Sequence, residues 1–141
     1  MNRYHLPLLL ILTLAACSRD VQSDYTYINM MKDLNVPTGT DVAVVLYGYQ
    51  CFSCKEELDA LVDSLHGSKK VVYITSDNTE RDALVETGKV VFFDKDRLSS
   101  KVVNARPVTT VVFFNAGQEH SRLPLDANNI ERILSNLRTG L

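Results

Sequence analysis

The sequence predicts an α/β fold, because strand-like and helix-like segments alternate along the chain. Residues 42–47 form an unbroken apolar run of strand length that is rich in β-branched side chains. The next segment repeats apolar residues with the i, i+3, i+4, i+7 spacing of a helix that buries one face, at Leu58, Leu61, Val62 and Leu65. A second strand follows at residues 69–75, and its continuous apolar part is typical of an internal, parallel strand.

The first 16 residues predict a secretory signal peptide. Residues 6–16 form an apolar stretch after the fixed charge of Arg3, and these 11 residues are too few to cross a bilayer, which needs about 20. The stretch ends in Leu14-Ala15-Ala16-Cys17, which resembles a bacterial lipobox. The resemblance implies that Cys17 becomes a lipidated N-terminus, anchored in the cell envelope and facing the periplasm. The alternative is an ordinary signal peptide cleaved nearby, which leaves Cys17 as a free thiol.

Composition narrows the remaining classes of function. The chain has 3 cysteines, which is an odd number for an exported protein. If Cys17 carries the lipid, two cysteines remain for a redox pair. The formal net charge is −2, or −3 after removal of Arg3, so neither nucleic acid nor an anionic membrane surface is an expected partner. After the signal peptide we expect a tether over residues 17–40 and one domain over residues 41–141.

The remaining two cysteines lie at the junction between the first predicted strand and the helix after it, in the motif Cys51-Phe52-Ser53-Cys54. Unpaired N–H groups and the dipole at a helix N-terminus favour a thiolate over a thiol, so we expect the pKa of Cys51 to fall. Cys54, one helical turn further on, is close enough to form a disulfide with Cys51. A strand, a Cys-x-x-Cys motif and a helix in this order are typical of thiol–disulfide exchange proteins.

Metal binding is the first alternative for these cysteines. A structural zinc site needs four ligands, and His66, at the far end of the helix, lies about 18 Å from Cys54 at 1.5 Å per residue. We therefore expect no zinc site. A reduced Cys-x-x-Cys can bind Cu(I), with His120 as the third ligand, so a copper-handling chaperone stays open. So does a non-catalytic domain with a structural disulfide, although so short a loop constrains the unfolded chain little.

The later segments continue the alternation of helix and strand. Asp77 and Glu80 have the spacing of a capping box at the start of a short helix that ends at Gly88. Residues 108–123 predict two strands joined by a tight hairpin turn. Asp126 is predicted to cap the last helix, whose apolar residues recur at Ile130, Ile133, Leu134 and Leu137.

In this order the segments resemble the thioredoxin superfamily, and most of all its envelope members related to TlpA and ResA. The resemblance is carried by the Cys-x-x-Cys unit between strand and helix and by two later features, Pro107-x-Thr109 before a strong strand and Asn115-x-Gly117 in the hairpin. It implies a three-layer α/β/α thioredoxin fold with a central mixed sheet of four to five strands, over residues 41–138. It also implies a cis peptide bond at Pro107, in a loop that lies against the cysteine pair and binds substrate.

The resemblance further implies a thiol–disulfide oxidoreductase that reduces disulfides in exported proteins. Cys51 is expected to attack the substrate and Cys54 to resolve the mixed disulfide, with no cofactor besides that redox-active pair. A membrane thiol electron donor would then reduce the pair again. The residues expected to bind substrate are Phe52, Ser53, Arg106 and Pro107.

The chain also departs from the pattern of this superfamily. Gln50 replaces the tryptophan that usually precedes the first cysteine, and Phe52-Ser53 replaces Gly-Pro. The predicted strand at residues 42–47 lacks the buried acid that assists the second cysteine in many thioredoxins. The sequence therefore does not set the redox potential of the pair.

Overall fold

Five strands and four helices make up most of the computed structural model, which describes residues 24–48, 51–65 and 67–140. The elements are α1 (Tyr27–Asp33), β1 (Val42–Val45), α2 (Phe52–Ser64), β2 (Val71–Thr75), α3 (Asn78–Glu86), β3 (Val91–Phe93), β4 (Thr110–Asn115), β5 (Gln118–Pro124) and α4 (Ile130–Thr139). A short 3-10 helix, Leu98–Lys101, lies between β3 and β4. None of the helices in these ranges is long and apolar enough to cross a bilayer. The signal peptide, Cys17 and His66 lie outside the described residues.

The strands form one mixed sheet in the order β3-β2-β1-β4-β5. β1 runs parallel to β2, and β2 runs parallel to β3. β1 is antiparallel to β4, which forms an antiparallel hairpin with β5. The prediction of an α/β fold with a mixed sheet of four to five strands is confirmed, with five strands. The internal, parallel position of β2 is confirmed as well.

Helices cover both faces of this sheet, which explains why β1 is apolar at every position. Successive side chains of a strand point to opposite faces. Val42 and Val44 lie in one apolar cluster with residues of α2 and α4, whereas Ala43 and Val45 lie in a second cluster with residues of α1. The first cluster also contains one of the two motif cysteines, Cys54.

The helix α1 belongs to the core although it precedes the predicted start of the domain at residue 41. Thr26 caps this helix, since its hydroxyl oxygen accepts a hydrogen bond from the Asn29 N–H at 3.3 Å. Tyr27 and Met30 are 1 % and 0 % exposed against the second face of the sheet. The chain then turns at Gly39, whose φ of 91° favours glycine, and enters β1.

The sequence predicts a capping residue for α3 and another for α4, and the structure confirms only the first. The cap at α3 is confirmed, because Asp77 Oδ1 accepts a hydrogen bond from the Glu80 N–H at 2.8 Å. The cap predicted for α4 is wrong, since the helix begins after Asn129. Asp126 instead closes the turn before α4, where its Oδ1 accepts from the N–H groups of Asn128 (2.9 Å) and Asn129 (3.0 Å).

Candidate active site

The motif cysteines form a disulfide at the start of α2. Cys51 is the N-cap residue of this helix, and its Sγ accepts a hydrogen bond from the Cys54 N–H at 3.4 Å. Cys51 is half-buried, whereas Cys54 is only 3 % exposed and lies in the apolar core with Leu58. The pair therefore has one sulfur that a partner can approach and one that is shielded behind it.

Thr109, just before β4, forms two hydrogen bonds with Tyr47, which lies in the segment between β1 and the cysteines. The Tyr47 N–H donates to Thr109 Oγ1 at 3.1 Å, and the Thr109 hydroxyl donates to the Tyr47 carbonyl oxygen at 3.3 Å. Thr109 is 1 % exposed, so water does not compete for these two hydrogen bonds. Sequence reasoning did not identify Thr109 as a site residue, because the two partners are 62 residues apart.

Polar groups on α2 lie on the turns that follow Cys54. Asp59 accepts hydrogen bonds from the Lys55 ammonium and from the buried Tyr73 hydroxyl, each at 2.7 Å. Burial, together with the hydrogen bond to Asp59, raises the pKa of Tyr73, so its hydroxyl stays protonated. Glu56 and Glu57 are exposed on the same helix.

A groove of about 440 Å³ opens beside Cys51. One wall comes from the loop before β4, with Arg106, Val108 and Thr109. The other wall comes from the chain at the end of β5, residues 124–127. The structure therefore places Arg106, one of the predicted substrate-binding residues, in the same groove as Cys51.

The residues between the two cysteines face outward. The side chain of Phe52 is 82 % exposed, which is unusual for a large apolar group and leaves it free to contact a partner. Ser53 is also exposed, and its hydroxyl lies 3.5 Å from Cys51 Sγ. Both residues are thus accessible beside the disulfide.

The prediction of a cis peptide bond at Pro107 is wrong. The described residues contain no cis peptide bond, so the bond between Arg106 and Pro107 is trans. Pro107 is exposed, lies three residues before the start of β4 and does not line the groove. The contact with the chain before the cysteines is made by Thr109 instead, and with no tight packing around Pro107 the trans form, favoured by about 0.5–1 kcal/mol, prevails.

The structure does not bring His120 to the cysteines. His120 is exposed on β5, toward the hairpin turn, and Pro124 at the other end of that strand lines the groove. The four residue steps from His120 to Pro124 span about 13 Å of extended strand. The described residues contain no group of three or more histidine, cysteine, aspartate or glutamate side chains that could hold a metal ion.

This arrangement is suited to chemistry at sulfur. The N-terminus of α2 stabilises negative charge at Cys51, and the buried Cys54 lies close enough to displace a partner from it. No protein-family model, curated protein or solved structure matches the chain. The functional conclusion therefore depends on the geometry of the cysteine pair and its groove.

Proposed function

We propose that the protein is a thiol–disulfide oxidoreductase of the thioredoxin type that reduces disulfides in exported proteins of the bacterial envelope. The observation that carries the proposal is the position of Cys51, which caps α2 and lines an open groove while its partner Cys54 is buried. The mixed sheet with helices on both faces is compatible with a thioredoxin fold. The lipobox-like sequence at Cys17 supports attachment to a membrane.

The reaction begins with the reduced pair. The Cys51 thiolate attacks one sulfur of the substrate disulfide, so that a Cys51–substrate disulfide forms and the other substrate sulfur leaves as a thiolate. The Cys54 thiolate then attacks Cys51 Sγ, which forms the Cys51–Cys54 disulfide and releases the second substrate thiolate. Two electrons pass to the substrate, and the protons of the two protein thiols end on the two substrate thiols.

The next cycle needs a reductant, for which a membrane-bound dithiol protein is the proposed class. It returns two electrons by the same exchange in the opposite direction. Cys51 is the entry point for both partners, because it is the half-buried member of the pair and adjoins the groove.

The roles of the two cysteines can be tested by trapping. In Cys54→Ser, the first attack proceeds but resolution stops, so a Cys51-linked mixed disulfide should accumulate with a disulfide-containing substrate. The matched variant Cys51→Ser keeps the buried thiol and should trap nothing. The proposal fails if Cys54→Ser forms no mixed disulfide while Cys51 is still alkylated by iodoacetamide.

A further inference from the structure

A second cavity, of about 270 Å³, continues the groove beside Cys51. The two cavities share Arg106, Val108 and Pro124, so a molecule bound at Cys51 has direct access to the second one. The volume is several times the roughly 30 Å³ that a water molecule occupies in the liquid, which is enough for an acidic side chain. Its walls also include Tyr27 and Arg122.

Arg122 is held rigidly at this cavity. Its Nε and one terminal nitrogen donate to the carboxylate of Glu119, and the other terminal nitrogen donates to the Val103 carbonyl at 3.2 Å. Its guanidinium carbon lies 4.8 Å from the centre of the Tyr27 ring. Only three of the five guanidinium N–H groups are engaged by these described partners, so two remain for a ligand.

Tyr27 forms part of the same wall and supports Arg122. Its side chain is almost fully buried, and its hydroxyl oxygen is shielded from solvent, so the hydroxyl is not a donor for a ligand in the cavity. The guanidinium of Arg122 lies over the Tyr27 ring, and a contact of this kind stabilises the positive charge beside the cavity.

Arg106 gives the cavity its net positive charge. Glu119 neutralises Arg122, whereas the exposed Arg106 forms no ion pair among the described residues. The cavity thus offers an unpaired guanidinium and spare N–H groups of a second guanidinium. This set of donors fits a carboxylate, which accepts charge-assisted hydrogen bonds in a forked geometry.

We propose that this cavity binds a carboxylate group of the substrate, so that the preferred substrate is a disulfide flanked by an acidic group. The inference depends on the proposed exchange reaction at Cys51 and adds the substrate class to it. The carboxylate would come from an acidic residue beside a cysteine in a protein or from a small carboxylated disulfide. Binding in the second cavity would place the neighbouring sulfur in the groove at Cys51.

The test compares two matched pairs of disulfides as substrates of the reduced protein. The first pair is the disulfide-linked dimers of two short peptides that differ only in glutamate or glutamine next to cysteine. The second pair is 3,3′-dithiodipropionate and 2-hydroxyethyl disulfide. Reaction with dithiothreitol gives the intrinsic reactivity of each compound, and the rate constants with the protein are divided by it.

We expect the protein to reduce the acidic member of at least one pair about fivefold to tenfold faster, as charge-assisted hydrogen bonds allow. Arg106→Gln should remove most of this preference, because it removes the unpaired guanidinium of the cavity. Arg138→Gln makes the same charge change at the exposed end of α4 and should keep the preference. A preference confined to the peptides indicates a protein substrate, and one confined to the small compounds indicates a low-molecular-weight disulfide.

Two outcomes separate this inference from the function on which it depends. If all four compounds are reduced but the acidic and neutral members react at equal corrected rates, the carboxylate site is refuted and the exchange activity stands. A preference that survives unchanged in Arg106→Gln also refutes the site. If the protein reduces none of the four compounds, the proposed function itself fails.

Discussion

The two ends of the central sheet carry cavities of similar volume but different chemistry. The groove where β1 leads toward α2 has a volume of about 440 Å³ and is lined by Cys51. At the opposite end, where the chain enters β1 beside the hairpin turn, two cavities have volumes of about 420 and 470 Å³. There the carboxylate of Asp41 accepts a hydrogen bond from the Lys70 N–H at 2.8 Å, which joins the starts of β1 and β2.

This difference shows that cavity size alone does not locate the function of the protein. At the opposite end, Asp41 and the Thr40 hydroxyl, which donates to the Pro37 carbonyl at 2.9 Å, shape the turn into β1. At the end with the cysteines, Arg106 has no ion-pair partner among the described residues, and Phe52 is exposed. The chemistry of the lining residues is therefore a better indication of a site than cavity size, and at this end the lining includes Cys51.

The largest expected effect separates the two ends by activity. Cys51→Ser should abolish reduction of a peptide disulfide, because the attacking thiolate is lost. Lys69→Gln, which changes a residue that lines a cavity at the opposite end, should leave the rate unchanged. The initial rate of substrate thiol release measures both. Equal losses in the two variants would show that the groove beside Cys51 is not the site.

Truncation of the core should lower stability at both ends but activity at one. Leu58 is 0 % exposed and lies one turn after Cys54, whereas Leu137 is 1 % exposed and lines a cavity at the opposite end. Each change to alanine should cost about 2–5 kcal/mol in the free energy of unfolding, from lost burial and the cavity left behind.

Urea unfolding measures the stability of the two leucine variants, and substrate reduction well below the unfolding transition measures their activity. Leu58→Ala should slow the reaction because it loosens the packing under Cys54, while folded Leu137→Ala should retain the rate. A reversed order would contradict the assignment of the two ends.

Two buried threonines allow a closer comparison of the ends. Thr109→Val removes both hydrogen bonds to the backbone of Tyr47 and leaves its half-buried N–H without this partner, at a cost of about 1–3 kcal/mol. Thr40→Val removes a single donor from the Pro37 carbonyl and should cost less. Thermal or urea unfolding gives the two values, and only Thr109→Val should also reduce the exchange rate. If Thr40→Val has the larger effect on that rate, Thr109 does not position the cysteines.

The smallest effect is expected in the hairpin turn. Gly117 has a φ of 77°, so Gly117→Ala should lower the free energy of unfolding by about 1 kcal/mol without changing activity. Ala116 has a φ of 50° in the same turn, and Ala116→Gly should raise stability or leave it unchanged. The same unfolding measurement tests both, and a large loss of activity in either variant would contradict the assignment of this turn to a purely structural role.

The sequence was most informative where local pattern determines structure. Apolar periodicity placed β1, α2 and β2, and the spacing of Asp77 and Glu80 placed the start of α3. A pattern of this kind depends on near neighbours in the chain, so it can be recognised without knowledge of the fold. The same argument placed the cysteine pair between strand and helix.

Features that depend on distant contacts could not be predicted from the sequence. The hydrogen bonds of Thr109 to Tyr47 join segments that meet only when β4 pairs with β1. The bond before the exposed Pro107 is trans, and the resemblance to a family gave the wrong isomer. The cavity between Tyr27 and Arg122 likewise brings together α1 and β5, which are far apart in the chain.

The central claim is that Cys51 and Cys54 form a redox-active pair and not a structural bond. The most direct test equilibrates the protein with thiol/disulfide buffers of known potential and counts the alkylated cysteines at each one. We predict a reduction potential near about −270 mV, which marks a reductase, whereas a value near about −120 mV would mark an oxidant and reverse the proposed direction of the reaction. A pair that stays oxidised below about −300 mV would be a structural disulfide, and the proposed function would be wrong.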